Sequence, residues 1–336
     1  MAGVTADRCP GVLRPHLAGD GAMVRIRVPG GQTTGAALAH LGALARAYGS
    51  GLLQLTSRGS LQIRGLADPV PDDFVAGVAA AGFLPSAAHE RVRNLVASPL
   101  TGLFGGRADL RTLITAVDEE LRDAADLAEL SGRFLFALDD GRGDVAALPF
   151  DVAYQALDAA HGVITVGEQR RLVRATEAAP ALIDAARRKA GMGPTLRPEP
   201  VEGPSSLPVG VVGEHASVVV PLGFLTAAQL AAVRAIAADG PVVVTPWRGL
   251  VIPYAAARLP KLAAVGLVID DASPWTLITA CVGAPYCGKG RMKTLVAARE
   301  LAERTDAGAL RRTHVSGCER RCGAPNSNHV DLVAHA

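Results

Sequence analysis

The stretch VPGGQTTGAALAHLGALARAYGSGLLQLTSRGSLQIRG, residues 28–65, is answered later in the chain by VPLGFLTAAQLAAVRAIAADGPVVVTPWRGLVIPYA, residues 220–255. Both open on Val-Pro and a Gly-containing turn, followed by a Thr able to cap a helix. An Ala/Leu-rich helical stretch comes next and ends near Gly. Then come a short apolar strand, a Thr, an Arg-Gly pair (Arg58-Gly59 and Arg248-Gly249) and a second alternating strand. The same punctuation in the same order marks an internal duplication. VASPLTGL (96–103) and CVGAPYCG (281–288) stand at similar distances beyond the two turns, so each copy reads as a β-α-β unit with a following α/β segment.

Working outward, GMGPTLRPEPVEGPSSLP (191–208) is rich in Pro, Gly and Ser and reads as a linker between the copies. The expected divisions are 1–88 and 209–270 for the β-α-β units, and 89–190 and 271–336 for the α/β segments. Residues 108–130 carry apolar side chains at helical spacing, and 291–303 form a second such helix. Short strands are expected at Arg133–Asp139, Val152–Leu157, Val163–Val166 and Leu172–Arg174. Strands alternating with helices indicate an α+β chain with mixed sheets.

The chain has 336 residues, 49% of them hydrophobic, with 34 basic against 32 acidic side chains. Length and composition are those of a globular protein of several units. A net charge near zero argues against a nucleic-acid or polybasic membrane binder. No run of about 18 uncharged apolar residues suggests a membrane span, and MAGVTADRCPG lacks the pattern of a signal peptide. Five cysteines are too few for a disulfide scaffold, so a reducing, cytoplasmic setting is expected, where clustered cysteines point to metal or redox chemistry.

Four of the five are clustered. Cys281 and Cys287 form C-x5-C, and Cys318 and Cys322 form C-x3-C. Four thiolates suit a soft metal centre and are what a [4Fe–4S] cluster requires. Structural zinc, disulfides or unrelated buried cysteines remain the other readings, although zinc knuckles usually have a narrower first pair. Cys9 stands apart and reads as an ordinary cysteine.

This cysteine pattern, near the C-terminus of a duplicated chain, resembles the nitrite and sulfite reductase family. Further stretches extend the resemblance over nearly the whole chain: CPGVLRPHLAGDGAMVRIRVPGG (9–31), LTSRGSLQIRG (55–65), RVRNLVASPLTGL (91–103), FALDDGRGDVA (136–146) and TPWRGLVIP (245–253). CPGVLRP and DDGRGDV favour the branch of that family that oxygenates precorrin-3A in aerobic cobalamin biosynthesis. The resemblance implies ferredoxin-like half-domains, two α/β domains and a site for a carboxylate-rich tetrapyrrole. In the reductases that tetrapyrrole is sirohaem, which shares a thiolate with the cluster; in the precorrin branch it is the substrate.

Such a ligand needs fixed cations, and the Arg fork suits carboxylates best. Arg58 and Arg93 fall where the family places residues at its tetrapyrrole site. Arg64, Arg133, Gln62 and Asn94 follow, with His89 as a further polar candidate. Alternation puts Arg25 with Arg27, and Gln62 with Arg64, on shared faces. The precorrin branch also implies O2, a separate electron donor (a ferredoxin or an NAD(P)H reductase) and a second, mononuclear non-haem iron. The scattered histidines show no two-His-one-carboxylate signature for that iron, and Asp139, Asp140 and Asp144 read as a water-exposed acidic turn. His314 and His329, flanking the second cysteine pair, are the most notable of the histidines.

Three departures stand out. Arg133-Phe134-Leu135 replaces a pair of basic residues usual in the reductases, which argues against a small anionic substrate. No G-x-G-x-x-G fingerprint is visible, so electrons are expected from a partner. The family usually continues further after the second cysteine pair, so the cluster is expected to be less well covered. A sirohaem-dependent reductase and a non-catalytic iron–sulfur or tetrapyrrole-binding protein are the rival readings.

Overall fold

The structure is a computed structural model, and it describes residues 9–146, 148–191, 207–305, 308, 310–325 and 328–334. The linker expected at 191–208 falls outside these residues except at its ends. Among the described residues no helix is long and apolar enough to cross a membrane.

The first copy runs β1 (His16–Ala18), β2 (Gly21–Ile26), β3 (Gln32–Thr34), α1 (Gly35–Tyr48), β4 (Leu53–Leu55), β5 (Leu61–Leu66) and α2 (Asp72–Ala80). The second runs β11 (Gly210–Val212), β12 (His215–Val219), β13 (Phe224–Leu225), α5 (Ala227–Ala237), β14 (Pro241–Val244), β15 (Gly249–Ile252) and α6 (Leu259–Ala264). Thr34 caps α1 by accepting from the Ala37 N–H, and Thr226 with Gln229 forms a capping box on α5. The duplicated Val-Pro turn, helix and strand pair are therefore duplicated in three dimensions.

The two copies exchange strands. One sheet has the order β1-β2-β5-β4-β13 and the other β11-β12-β15-β14-β3. Gln32–Thr34 thus completes the second copy's sheet, and Phe224–Leu225 completes the first. The helices of the two copies pack on each other, and Gly42 permits this because a Cβ there would run into Leu230. Along β2, Ala22, Val24 and Ile26 alternate into a core that also holds Leu38 and Leu41 of α1, Leu230 and Val233 of α5, and Leu250 of β15. One core serves both copies, so truncating the fully buried Leu41 to Ala should cost about 2–5 kcal/mol.

Strand register corrects the repeat by one residue. Ile26 pairs with Leu61, and its counterpart Val218 pairs with Leu250. Gly59 (φ +64°) therefore corresponds to Arg248 (φ +58°), and Arg58 to Trp247. The left-handed position that glycine fills freely in one copy is held by an arginine in the other, at a cost of roughly 1–3 kcal/mol.

The first α/β domain contains β6 (Leu95–Ala97), α3 (Arg111–Asp123), β7 (Phe136–Asp139), β8 (Val152–Ala156), β9 (His161–Val166), β10 (Gln169–Arg174) and α4 (Ala178–Gly191). Its sheet order is β10-β9-β8-β7-β6, with β6, β7 and β8 parallel. The helix expected over 108–130 is shorter: the backbone leaves helical geometry at Ala124 (φ −84°, ψ 81°), and only a single tight turn follows at Ala125–Leu127. The second α/β domain repeats the parallel part as β16 (Ile278–Ala280), α7 (Thr294–Arg304), β17 (Thr313–Ser316) and β18 (Val330–Val333). The fold is mixed α/β, with two interlocked half-domains and two α/β domains.

Candidate functional site

Parallel strands deliver their C-terminal loops to one edge of a sheet, and this gathers the cysteines. Cys281 follows β16 directly, and its N–H donates to Val315 O at 3.0 Å. Gly317, which follows β17, donates its N–H to Cys281 Sγ at 3.2 Å, an N–H···S bond of the kind that steadies a thiolate. Thr294 at the start of α7 donates its hydroxyl to Cys281 O at 2.6 Å. The Cys287 loop closes through Gly290 N–H to Cys287 O, and it is tied to the second loop by Arg291 N–H to Gly317 O. None of the four cysteines is in a disulfide. Burial raises the Cys322 thiol pKa, and the nearby thiols of Cys281, Cys318 and Cys287 raise it further. Four thiols in one another's field, with a backbone N–H on one sulfur, form a donor set that fits a [4Fe–4S] cluster. Among the described residues no three His, Cys, Asp or Glu side chains gather around a point where a single metal ion would sit.

His314 on β17 is fully buried, with Nδ1 2.8 Å from Thr279 Oγ1. Burial, reinforced by Arg248, lowers its pKa to about 4. Its ring meets His329 edge-on at 6.2 Å, and His329 lies beside Asp331.

The outer face of the first sheet carries the expected arginines. Arg25 Nη2 donates to Gln62 Oε1 at 3.3 Å, and Gln62 Nε2 to Gln54 Oε1 at 2.7 Å. Arg27 is buried and donates to Arg91 O, Gly132 O and Ser60 Oγ. Burial lowers its pKa, with Arg25 and Arg58 adding repulsion. Arg64 forms a two-pronged pair with Asp20 and donates Nη2 to Tyr286 O at 2.9 Å, beside Cys287. The arginine face and the cysteine loop therefore meet. Arg58 Nη1 donates to Arg133 O at 2.9 Å, while the Arg133 side chain is exposed.

Two of the expected ligand residues are committed elsewhere. Arg93 is buried in a two-pronged pair with Asp118 of α3, at 2.7 and 2.9 Å, so its fork holds the domain together instead of facing the cysteines. Asn94 Nδ2 donates to Arg91 O and Gly132 O, joining the acceptors of Arg27, and its buried Oδ1 meets no donor. His89 bridges Ser86 and Ala124 O, a structural position.

The acidic turn is buried, contrary to the sequence expectation. Asp139, Asp140 and Asp144 are all at most 1% exposed. Asp139 accepts N–H bonds from Gly141, Gly143, Val145 and Ala146, and Arg142 pairs with Asp140 at 2.6 Å. Satisfied carboxylates can be buried, and this turn satisfies them from its own backbone and its own arginine. Asp144 accepts from Ser98 Oγ at 2.6 Å, and its buried Oδ2 accepts no hydrogen bond, lying 3.8 Å from Arg142 Nε. Burial and the neighbouring Asp139 and Asp140 raise its pKa to about 6.

A cavity of about 690 Å³ borders both regions, lined by Arg58, Asp144, Trp247, Arg248, Arg312 and Gly323, the last adjacent to Cys322. Sequence reasoning missed Arg248, Arg312 and Asp144 as cavity residues. The repeat pointed at Arg248, yet its left-handed backbone is not visible in one-letter code. Glu90 was missed as well: its carboxylate accepts from Val12 and Leu13 N–H and clamps the turn after Cys9. No sequence signal links residues 78 positions apart.

Residues 14–80 match the sequence model of the nitrite/sulfite reductase ferredoxin-like half domain. A precorrin-3B synthase from Sinorhizobium is 27% identical over 385 residues, covering 99% of this chain and 82% of that protein. The chloroplastic ferredoxin–nitrite reductase of Arabidopsis thaliana is 30% identical over 129 residues, covering 38% of this chain and 20% of its own length. The ferredoxin–nitrite reductase of Synechococcus elongatus is 30% identical over 145 residues, covering 40% and 28%. The solved structure of Mycobacterium tuberculosis NirA superposes with a TM-score of 0.67 at 20% identity, over 90% of this chain and 69% of that one. The chain matches the nitrite/sulfite reductase ferredoxin-like half domain over residues 14–80, shares the fold of NirA, and resembles precorrin-3B synthase along nearly its whole length.

Proposed function

We propose that the chain is an oxidoreductase acting on a carboxylate-edged tetrapyrrole, with Cys281, Cys287, Cys318 and Cys322 holding a [4Fe–4S] cluster. The specific reaction proposed is the conversion of precorrin-3A to precorrin-3B. One oxygen atom of O2 enters the macrocycle, the other leaves as water, and two electrons come from NAD(P)H through a separate donor. The observation that carries this reading is the Arg64 bond to Tyr286 O, because it joins the arginine face to the loop of Cys287.

When bound, the cluster supplies one-electron transfer at the edge of the tetrapyrrole site. The protein's own groups bind and orient. Arg58, half-buried and on the cavity wall, has fork geometry suited to a ligand carboxylate. Arg25 and Arg27 give that face a positive field that buried surroundings do not screen. Gln62 holds Arg25, and Arg64 fixes the distance between the sheet and the cysteine loop. Gly317 N–H holds the sulfur of Cys281 in position. The residues of the proposed mononuclear iron stay unassigned.

The test is anaerobic purification with an absorption spectrum, followed by turnover of precorrin-3A under labelled O2 with a competent donor. A broad brown shoulder and label in the product support the reading; absence of label with an intact cluster overturns it. A sirohaem-dependent nitrite or sulfite reductase is the second reading, supported by the similarity to the two ferredoxin–nitrite reductases. It requires a strong Soret-like band in the same spectrum.

A further inference from the structure

The DDGRGDV turn puts one of its three carboxyls on the cavity wall, and that carboxyl is bonded differently from the other two. Asp139 is satisfied by N–H groups of its own loop, and Asp140 takes the fork of Arg142 at 2.8 and 2.6 Å. Asp144 is 1% exposed and has no countercharge at hydrogen-bond distance, since Arg142 Nε stays 3.8 Å from its Oδ2.

The two oxygens of Asp144 are not equivalent. Oδ1 accepts the Val145 N–H at 2.8 Å and the Ser98 hydroxyl at 2.6 Å. Ser98 Oγ itself accepts the Asp140 N–H, so its single hydrogen is directed to Asp144. Oδ1 is therefore the acceptor oxygen, and in the neutral carboxyl the proton sits on Oδ2, which accepts no hydrogen bond. A buried O–H without an acceptor is costly, and the cavity that Asp144 lines is where an acceptor would enter.

The surroundings favour the neutral form. Burial raises the Asp144 pKa first, and Asp139 and Asp140 add to it, against the opposing pull of Ser98 and Arg142, to about 6. The other charged side chains bordering the cavity are Arg58, Arg248, Arg312 and Asp271. An acid poised near the working pH both holds a proton and gives it up.

We propose that Asp144 is the acid of this cavity, handing its Oδ2 proton to the oxygen atom that leaves as water, and that Ser98 is the positioning residue that orients it. The role rests on the proposed function. In that reaction the O–O bond breaks and one oxygen atom enters the macrocycle. The other gains two electrons from the donor and two protons, and leaves as water. Asp144 supplies one of these protons; solvent supplies the second and reprotonates the carboxylate.

The experiment compares steady-state turnover of precorrin-3A by cluster-loaded wild type, Asp144→Asn and Ser98→Ala, with O2 and the same donor. Asp144→Asn should lower kcat by about 100-fold or more, as loss of an acid implies, with KM within about threefold. Wild-type kcat/KM should fall as pH rises through about 6, and the residual rate of Asp144→Asn should lack that step. Ser98→Ala should lower kcat by about tenfold and move the step to higher pH, because the Ser98 hydrogen bond holds the pKa down. Iron and acid-labile sulfide should match wild type in both variants. Equal kcat in wild type and Asp144→Asn, or a step that persists in Asp144→Asn, overturns the role of Asp144 alone. Iron lost from Asp144→Asn would make the carboxylate a metal ligand and overturns it as well. No product from a wild type with an intact cluster overturns the proposed function, and this role with it.

Discussion

The two α/β domains place different chemistry on one backbone frame. In the first, Asp140 N–H donates to Ser98 Oγ at 3.1 Å; in the second, Gly317 N–H donates to Cys281 Sγ at 3.2 Å. Ser98 and Cys281 each follow the first parallel strand, and Asp140 and Gly317 each follow the second. The first domain then closes on itself, since Arg142 neutralises Asp140 and backbone N–H groups satisfy Asp139. The second leaves thiols in one another's field, and burial first, then those neighbours, raises the Cys322 pKa. One loop pair is satisfied by its own protein groups, and the other brings together the thiols that the proposed cluster would use.

The sharpest way to break that comparison is at its sulfur end. Cys318→Ala should remove a ligand of the centre, so that iron and acid-labile sulfide fall together, whereas Ser98→Ala should change neither. Equal iron content in the two variants would end the distinction between the domains.

Next in size is Arg93→Ala. It removes the two-pronged pair, leaves the half-buried Asp118 with Arg122 at 3.4 Å, and should cost roughly 1.5–3 kcal/mol in denaturant unfolding, with or without ligand. A loss below 1 kcal/mol would return Arg93 to the list of ligand residues. Arg58→Ala should behave oppositely. Tetrapyrrole affinity should fall by roughly 1.5–3 kcal/mol, with little change in the unfolding midpoint of the free protein. Unaltered affinity by titration would make Arg58 a structural tether to the Arg133 carbonyl.

The duplication was legible because Val-Pro, a capping Thr and the Arg-Gly turn are local signals. The grouping of the four thiols was legible because the spacing within each cysteine pair is also local. What stayed hidden depends on distant partners. Arg93 looked like a ligand residue because Asp118 lies on a helix 25 positions away. The exchange of Gln32–Thr34 for Phe224–Leu225 left no mark, since each stretch reads only as a turn leading to a helix cap. Asp139, Asp140 and Asp144 looked solvated because sequence cannot show that four backbone N–H groups converge on one carboxylate.

The smallest expected effect concerns Asp144. Its folded pKa of about 6 lies above the ordinary 3.8, so the folded chain holds this proton more tightly than the unfolded chain does. The stability this contributes is present below about pH 4 and is lost as pH rises towards 6. Asp144→Asn should flatten that dependence, leaving the variant about 1–3 kcal/mol ahead of wild type at pH 7.5 relative to their difference at pH 4. Parallel stability curves from pH 4 to 7.5 would show that Asp144 is already ionised in the folded chain.

The traded strands carry a consequence for how the molecule comes apart. Neither copy owns a whole sheet, so the unit that folds is the pair, and the first α/β domain sits within it as a guest inserted between interlocked hosts. A lesion in Gln32–Thr34 strips an edge from the opposite copy's sheet, which also lines the cavity. Damage near the start of the chain is thereby felt about two hundred residues later, through a clasp and not through the sequence between.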